Sequence, residues 1–143
     1  MFTMGNSTLY IQNLELQGLI SNNANAALVR ADHGGTFFMG IFSVVKCSHI
    51  GVGIANGGSF IMARNSVIRG SRVNGVHITG SQSRFEMEGD SRVINTSVSL
   101  GAGVHVRSGG IILFLNSTVV MTITGSRVNT IGVRNDGTLV DGL

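Results

Sequence analysis

The sequence repeats itself with a period in the twenties. A glycine- or serine-rich turn followed by an apolar-x-apolar segment recurs, most clearly as Gly57-Gly58-Ser59-Phe60-Ile61-Met62. The anchor residues of the successive copies, spaced 23–28 residues apart, are Leu9, Phe37, Phe60, Phe85, Ile112 and Leu139. Such a period indicates a solenoid, in which each unit buries its apolar side only against its neighbours.

Each copy holds two further short apolar segments. One precedes the glycine turn, as in Val52-Gly53-Ile54 and Val76-His77-Ile78, and one follows the anchor, as in Val67-Ile68. Alternation at period two is typical of strands with one face buried. The pattern predicts an all-β chain, a parallel β-helix of about five to six coils with three short strands per coil. The right-handed sense follows from the general preference for right-handed crossovers between parallel strands.

We expect one domain over residues 1–143. Its predicted divisions are an irregular first coil at 1–33, regular coils at 34–57, 58–82, 83–109 and 110–136, and the start of a last coil at 137–143. Because the sequence begins and ends within repeats, we expect a fragment of a longer repetitive protein.

The alternation also divides the anchor strands into inward and outward residues. The predicted inward residues are Phe37, Met39, Phe60, Met62, Phe85, Met87, Ile112 and Phe114. The predicted outward column is Tyr10, Phe38, Ile61, Glu86 and Leu113, apolar at four of its five positions. Since large exposed apolar patches mark interfaces, we predict a binding face there. The alternative is that residues 12–28 fold back and cover the column.

Composition narrows the classes of partner. Ten basic and seven acidic residues give a net charge of +3, but they are scattered, and the chain has one tyrosine and no tryptophan. A nucleic-acid site needs a basic stripe with aromatic residues, so we expect no nucleic-acid partner. No apolar run is long enough to span a membrane. Proline, which would interrupt strands paired on both edges, is absent.

The strand motifs carry a resemblance to a known family. Gly34-Gly35-Thr36-Phe37-Phe38-Met39, Ser66-Val67-Ile68 and Gly103-Val104-His105-Val106 resemble the repeats of right-handed parallel β-helix proteins of the pectin-lyase-like superfamily. They are most similar to the tandem "GGTFxM…GGVxV" repeats of bacterial surface proteins, over roughly residues 7–143. The resemblance implies a β-helix and an extracellular or cell-surface location.

Two groups of polar side chains are candidate sites. Glu86, Glu88 and Asp90 have the spacing of one strand face, which suits calcium or a pair of catalytic carboxylates, although we expect Asp90 at a corner, turned away from the two glutamates. The alternative is a solvated face beside Arg64 and Arg84. His77 and His105 occupy the same outward position on adjacent coils. We expect a stacked surface pair there rather than a metal site, because a structural metal needs about four ligands.

The function we expect is non-enzymatic: a module that presents a β-helix face to a glycan or protein partner. Its predicted binding residues are Tyr10, Phe38, Ile61, Leu113, His77 and His105. Self-association through open solenoid ends or the apolar column is a further possibility. We expect neither a bound metal ion nor an organic cofactor. If a metal ion does bind, calcium is the candidate. Two alternatives are a fragment of a polysaccharide lyase or hydrolase that uses Glu86 and Glu88, and a structural spacer.

Overall fold

The computed structural model describes residues 1–18, 26–46, 49–94, 102–115, 122–123, 133–135 and 138–141. They form seventeen strands: β1 (Phe2–Gly5), β2 (Thr8–Ile11), β3 (Glu15–Gln17), β4 (Ala27–Asp32), β5 (Thr36–Met39), β6 (Val44–Lys46), β7 (Ile50–Ile54), β8 (Ser59–Met62), β9 (Val67–Arg69), β10 (Asn74–Thr79), β11 (Arg84–Glu88), β12 (Arg92–Ile94), β13 (Ala102–Arg107), β14 (Ile111–Leu115), β15 (Thr122–Ile123), β16 (Val133–Asn135) and β17 (Thr138–Asp141). These described residues contain no helix.

The strands form three parallel sheets. The first sheet has the order β1-β4-β7-β10-β13-β16, the second β2-β5-β8-β11-β14-β17, and the third β3-β6-β9-β12-β15. Each strand therefore pairs with the strand three places along the chain, so that successive turns of the chain stack on one another. This is the predicted parallel β-solenoid with three strands per coil.

Pairing in register stacks equivalent side chains into ladders inside the solenoid. In the second sheet Phe37 lies opposite Phe60 and Phe60 opposite Phe85. Their rings stack at centroid distances of 5.1 and 5.0 Å, and all three side chains are fully buried. Methionine and aliphatic ladders complete the core, as Met39, Met62, Met87, Val52, Val76, Val104, Val45, Ile68 and Val93. The predicted inward residues are confirmed, except Phe114, whose side chain lies outside the described part.

The Gly-Gly pairs form the corner between the first and second sheets. In Ala55–Gly58 the amide of Gly58 donates to the carbonyl of Ala55 at 2.8 Å, and both central residues, Asn56 and Gly57, have positive φ. Positive φ at both positions is characteristic of a type I′ turn, which favours Asn-Gly. The second glycine has another cause: a Cβ on Gly58 would collide with the carbonyl of Ala31 on the coil below.

Asparagine or aspartate recurs in the sequence near the bend after the anchor strand, as Asn13, Asn65, Asp90 and Asn116, and these residue types predict the left-handed conformation that such a bend requires. In the structure this bend is the corner between the second and third sheets. Asn13 and Asn65 adopt the expected left-handed conformation, with φ of 51° and 59°. The same expectation for Asp90 is wrong: Gly89 has the positive φ, one residue earlier. Glycine reaches this region without steric cost and therefore takes it in place of the aspartate. Asn116, the remaining predicted member, lies outside the described residues.

The irregular first coil contains its own third strand. Leu16 of β3 pairs with Val45, although the preceding corner has three residues, 12–14, where the next coil has four, 40–43. Because this corner is one residue shorter, the strand begins at Glu15 and runs to Gln17, and Leu14 is left exposed at the corner.

The aromatic ladder predicts a large effect of truncation. Replacing Phe60 by Ala should lower the free energy of unfolding by about 3–5 kcal/mol, because it removes a buried ring stacked on both sides. Ser59→Ala, on the same strand but facing outward, is the matched control and should change it by less than about 0.5 kcal/mol. Chemical denaturation measures both. A loss below about 1 kcal/mol for Phe60→Ala would contradict the ladder.

Candidate functional site

The outward column of the second sheet is continuous across the coils. Tyr10 lies opposite Phe38, Phe38 opposite Ile61, Ile61 opposite Glu86 and Glu86 opposite Leu113. The structure thus brings together the four apolar residues predicted from the sequence, with one glutamate between them. Their binding role stays a prediction.

Tyr10 and Phe38 form the aromatic part of this column. Their rings stack at a centroid distance of 5.0 Å and an interplanar angle of 18°. Tyr10 is 54% exposed, and its hydroxyl donates to the Oε1 of Gln12 at 2.6 Å. The alternative placed residues 12–28 over the column. Of these, residues 12–18 instead form the next corner and β3, 26–28 lead into and begin β4, and 19–25 lie outside the described residues. The two rings therefore remain accessible within the described part of the chain.

Three exposed apolar residues at the next corner extend this surface. Ile41 and Phe42 are 41% and 61% exposed, and Leu14 of the preceding coil is 46% exposed. The two coils are tied together there by the amide of Asn13, which donates to the carbonyl of Ile41 at 3.2 Å. We call Tyr10, Leu14, Phe38, Ile41 and Phe42 the apolar face.

Phe42 is unusual in its backbone as well as its exposure. Its φ of 55° is in the left-handed region, which a bulky residue seldom adopts. Unusual backbone conformations of this kind persist where the surrounding structure imposes them. The repeat pattern does not identify Ile41 and Phe42, although an aromatic residue in a turn between two strands is a usable signal.

Of the acidic residues, Glu86 and Glu88 lie on the outward face of β11, as predicted, whereas Asp90 does not. Glu86 forms an ion pair with the guanidinium of Arg84. Asp90 lies in the corner after β11, where its Oδ1 accepts from the amide of Asn65 at 3.0 Å. Among the described residues, no three histidine, cysteine, aspartate or glutamate side chains are grouped so as to hold a metal ion. The catalytic role of Glu86 and Glu88, and calcium binding there, stay predictions.

The two predicted histidines stack on the first sheet. His77 pairs with His105, and their rings lie 5.1 Å apart with an interplanar angle of 14°. The Nε2 of His77 is buried and has no hydrogen-bond partner among the described residues. Burial, together with the neighbouring His105 and the cation of Arg107, lowers the pKa of His77. Desolvation favours the neutral imidazole, and so do nearby positive charges.

A buried carboxylate fixes the corner between β4 and β5. Asp32 accepts hydrogen bonds from the side chain of Asn56 at 2.8 Å and from the amide of His33 at 2.9 Å. It also forms an ion pair with Arg30 at 3.0 Å. Burial acts to raise the pKa of Asp32, but these partners outweigh it and the pKa lies below its usual value. The network joins two successive corners and holds Arg30 in place.

The candidate residues thus form two separate surfaces. The apolar face belongs to the second sheet and its following corner, whereas His77 and His105 belong to the first sheet. The sequence pattern predicted a single binding face that includes both groups, but the structure does not bring them together.

Comparison with known proteins returned nothing: no family model matches the chain, and no curated protein or solved structure matches it. No helix among the described residues is long and apolar enough to cross a membrane.

The surroundings of His77 predict its titration. Replacing Arg107 by Gln should raise the pKa of His77, because it removes a cation that disfavours the imidazolium. Proton NMR of the imidazole resonances measures this directly. Arg84→Gln, on the second sheet, should leave the titration unchanged.

The lowered pKa also predicts how stability depends on pH. The unfolded chain binds a proton at His77 more readily than the folded chain, so the free energy of unfolding should fall as pH drops below about 6.5. The loss should stop once pH is below the folded-state pKa. His77→Gln should remove this part of the pH dependence. Titration of His77 at or above its usual pKa would contradict both expectations.

Proposed function

We propose that this chain is a non-enzymatic binding module that uses its apolar face to bind a protein partner. The observation that carries the proposal is the exposure of Tyr10, Ile41 and Phe42 on a fold whose core phenylalanines are fully buried. Clustered exposed apolar residues on a soluble protein mark interaction sites.

The composition of the face favours a protein over a glycan. Tyrosine and phenylalanine are enriched in the cores of protein interfaces, where they act as anchors. The hydroxyl of Tyr10 is already bonded to Gln12, and the surrounding side chains Leu14, Ile41 and Phe42 offer no hydrogen-bonding groups. A sugar needs several precisely placed polar partners, which these five residues do not supply.

The scaffold favours binding through preorganisation. Phe38 is held on a strand paired on both sides, and its ring is stacked on Tyr10. Side chains that are already ordered lose less conformational freedom when a partner binds. The rigid sheet thus lowers the entropic cost of forming the interface.

The repeat motifs support a wider setting for this module. A parallel β-solenoid with Gly-Gly-Thr-Phe-x-Met motifs is consistent with a right-handed β-helix of the pectin-lyase-like superfamily, within a bacterial surface or secreted repeat protein. In that setting the module would be extracellular and would present its face along a repetitive protein.

The test is to pan a phage-displayed random peptide library against the immobilised 143-residue chain. We expect peptides with clustered aromatic or aliphatic residues. Their affinity should fall about tenfold or more in Phe42→Asn and in Tyr10→Ser, because each change removes an anchor. Asn suits the left-handed backbone at position 42, so loss of binding there would not reflect loss of fold.

Arg92→Gln, an exposed change on the third sheet, is the matched control and should bind the selected peptides normally. A glycan array, run with calcium and with chelator, separates the other hypotheses. Calcium-dependent glycan binding or cleavage lost in Glu86→Gln or Glu88→Gln would favour the lyase or hydrolase alternative. No binding to either library by folded protein would contradict the proposal and favour a spacer.

A further inference from the structure

One outward column of the first sheet lacks a side chain on a single coil. Arg30 lies opposite Gly53, Gly53 opposite His77, and His77 opposite His105. Side chains project from this column on both sides of Gly53 but not at Gly53 itself. The glycine therefore leaves an empty position between Arg30 and the stacked pair of His77 and His105.

A cavity of about 160 Å³ occupies this position. Arg30 and His77 line it on either side of Gly53. Its remaining lining is mostly apolar: Ala27, Ile50, Ile54 and Ala55, with Thr79. The volume is close to that of an engineered protein cavity that binds benzene.

The side chains on either side are fixed in position. One face of the His77 imidazole is stacked on His105, so the opposite face is turned toward the empty position. On the other side, Asp32 holds the guanidinium of Arg30 through contacts of 3.0 Å to Nε and Nη2. Two ladder spacings of about 4.8 Å separate Arg30 from His77. A planar group at the Gly53 position would lie one spacing from each.

That spacing is the one at which this chain stacks its own rings. Tyr10 on Phe38 and Phe37 on Phe60 have centroid distances of 5.0 and 5.1 Å. We propose that the position above Gly53 binds an aromatic side chain of a partner protein, which completes a stack of Arg30, ring, His77 and His105. This site is on a different sheet from the apolar face and does not depend on the proposed function.

The chemistry of the walls favours an aromatic ring over an anion. The charge of Arg30 is already balanced by Asp32, whereas its guanidinium can still lie against the face of a ring as a cation–π contact. The imidazole of His77 offers a second stacking surface. Alanine and isoleucine side chains along the slot exclude water from a ring but offer nothing to a carboxylate.

The size of the slot favours a ring carried by a polypeptide. A free aromatic molecule of roughly eight heavy atoms gains only a limited binding free energy from each atom, and part of it stays exposed to solvent. This gain is small compared with the translational and rotational freedom lost on association, so such a molecule binds weakly. A ring on a protein side chain adds contacts from neighbouring residues. An aromatic side chain seated in a preformed pocket is the usual form of an interface anchor.

The test is a ¹H–¹⁵N NMR titration of the full chain with p-cresol, which reproduces the tyrosine side chain. We expect saturable shifts at Gly53, Ala55 and His77, with a dissociation constant on the order of millimolar. Cyclohexanol has a similar size but no π face, and should produce no saturable shift at these residues. N-acetyl-tyrosinamide should bind at least as tightly as p-cresol.

Variants test the position itself. Gly53→Ala should weaken p-cresol binding at least tenfold, because its Cβ would occupy the slot beside Ala27. His77→Ala and Arg30→Ala each remove one wall and should weaken binding several-fold, which keeps the test valid if Gly53→Ala misfolds. Ser59→Ala, on the outer face of the second sheet, should bind as the wild type does.

Three results would overturn the proposal. Equal shifts with cyclohexanol would show that any apolar molecule of this size enters the slot. Competition by acetate would show that the site selects an anion. Binding of p-cresol without binding of N-acetyl-tyrosinamide would exclude a protein side chain as the occupant.

Discussion

In-register pairing between successive turns is the constraint on which this structure depends. Each residue of a strand lies directly beside its equivalent one coil away, at about 4.8 Å. A buried phenylalanine must therefore stack on whatever occupies the same position of the next coil, and Phe37, Phe60 and Phe85 satisfy this with ring on ring. The corners obey the same rule, because a side chain at Gly58 would meet the carbonyl of Ala31 below it.

This constraint made the interior predictable from sequence. A repeated anchor with alternating polarity defines which residues face inward, and the strand pairing follows once anchors are aligned. The outward columns followed too, since Tyr10, Phe38 and Ile61 hold equivalent positions around the anchors. The three-strand cross-section could be predicted because each repeat contains three apolar segments separated by turn residues.

What the sequence concealed lies mostly at the corners. Corner length varies, so the residue that takes positive φ shifts from Asn65 in one coil to Gly89 in the next. Exposure of Phe42 could not be read from periodicity, because a turn has no inward and outward faces. The carboxylate of Asp32 accepts a hydrogen bond from Asn56, which lies 24 residues further along the chain, and only the folded corner shows that the two side chains meet. The cavity over Gly53 could not be predicted either, because it depends on which side chains surround that glycine in the folded chain.

A regular solenoid presents nearly the same backbone at every coil, so regularity alone cannot select a ligand. Selectivity must arise where the sequence departs from its own period. Gly53 interrupts a column of long planar side chains and leaves a slot of defined thickness, whereas Glu86, paired with Arg84, interrupts an apolar column and limits its extent. Each departure acts against a rigid ladder that holds its neighbours at fixed spacing. The repeat therefore supplies the dimensions of a site, and the exceptions to the repeat supply its chemistry.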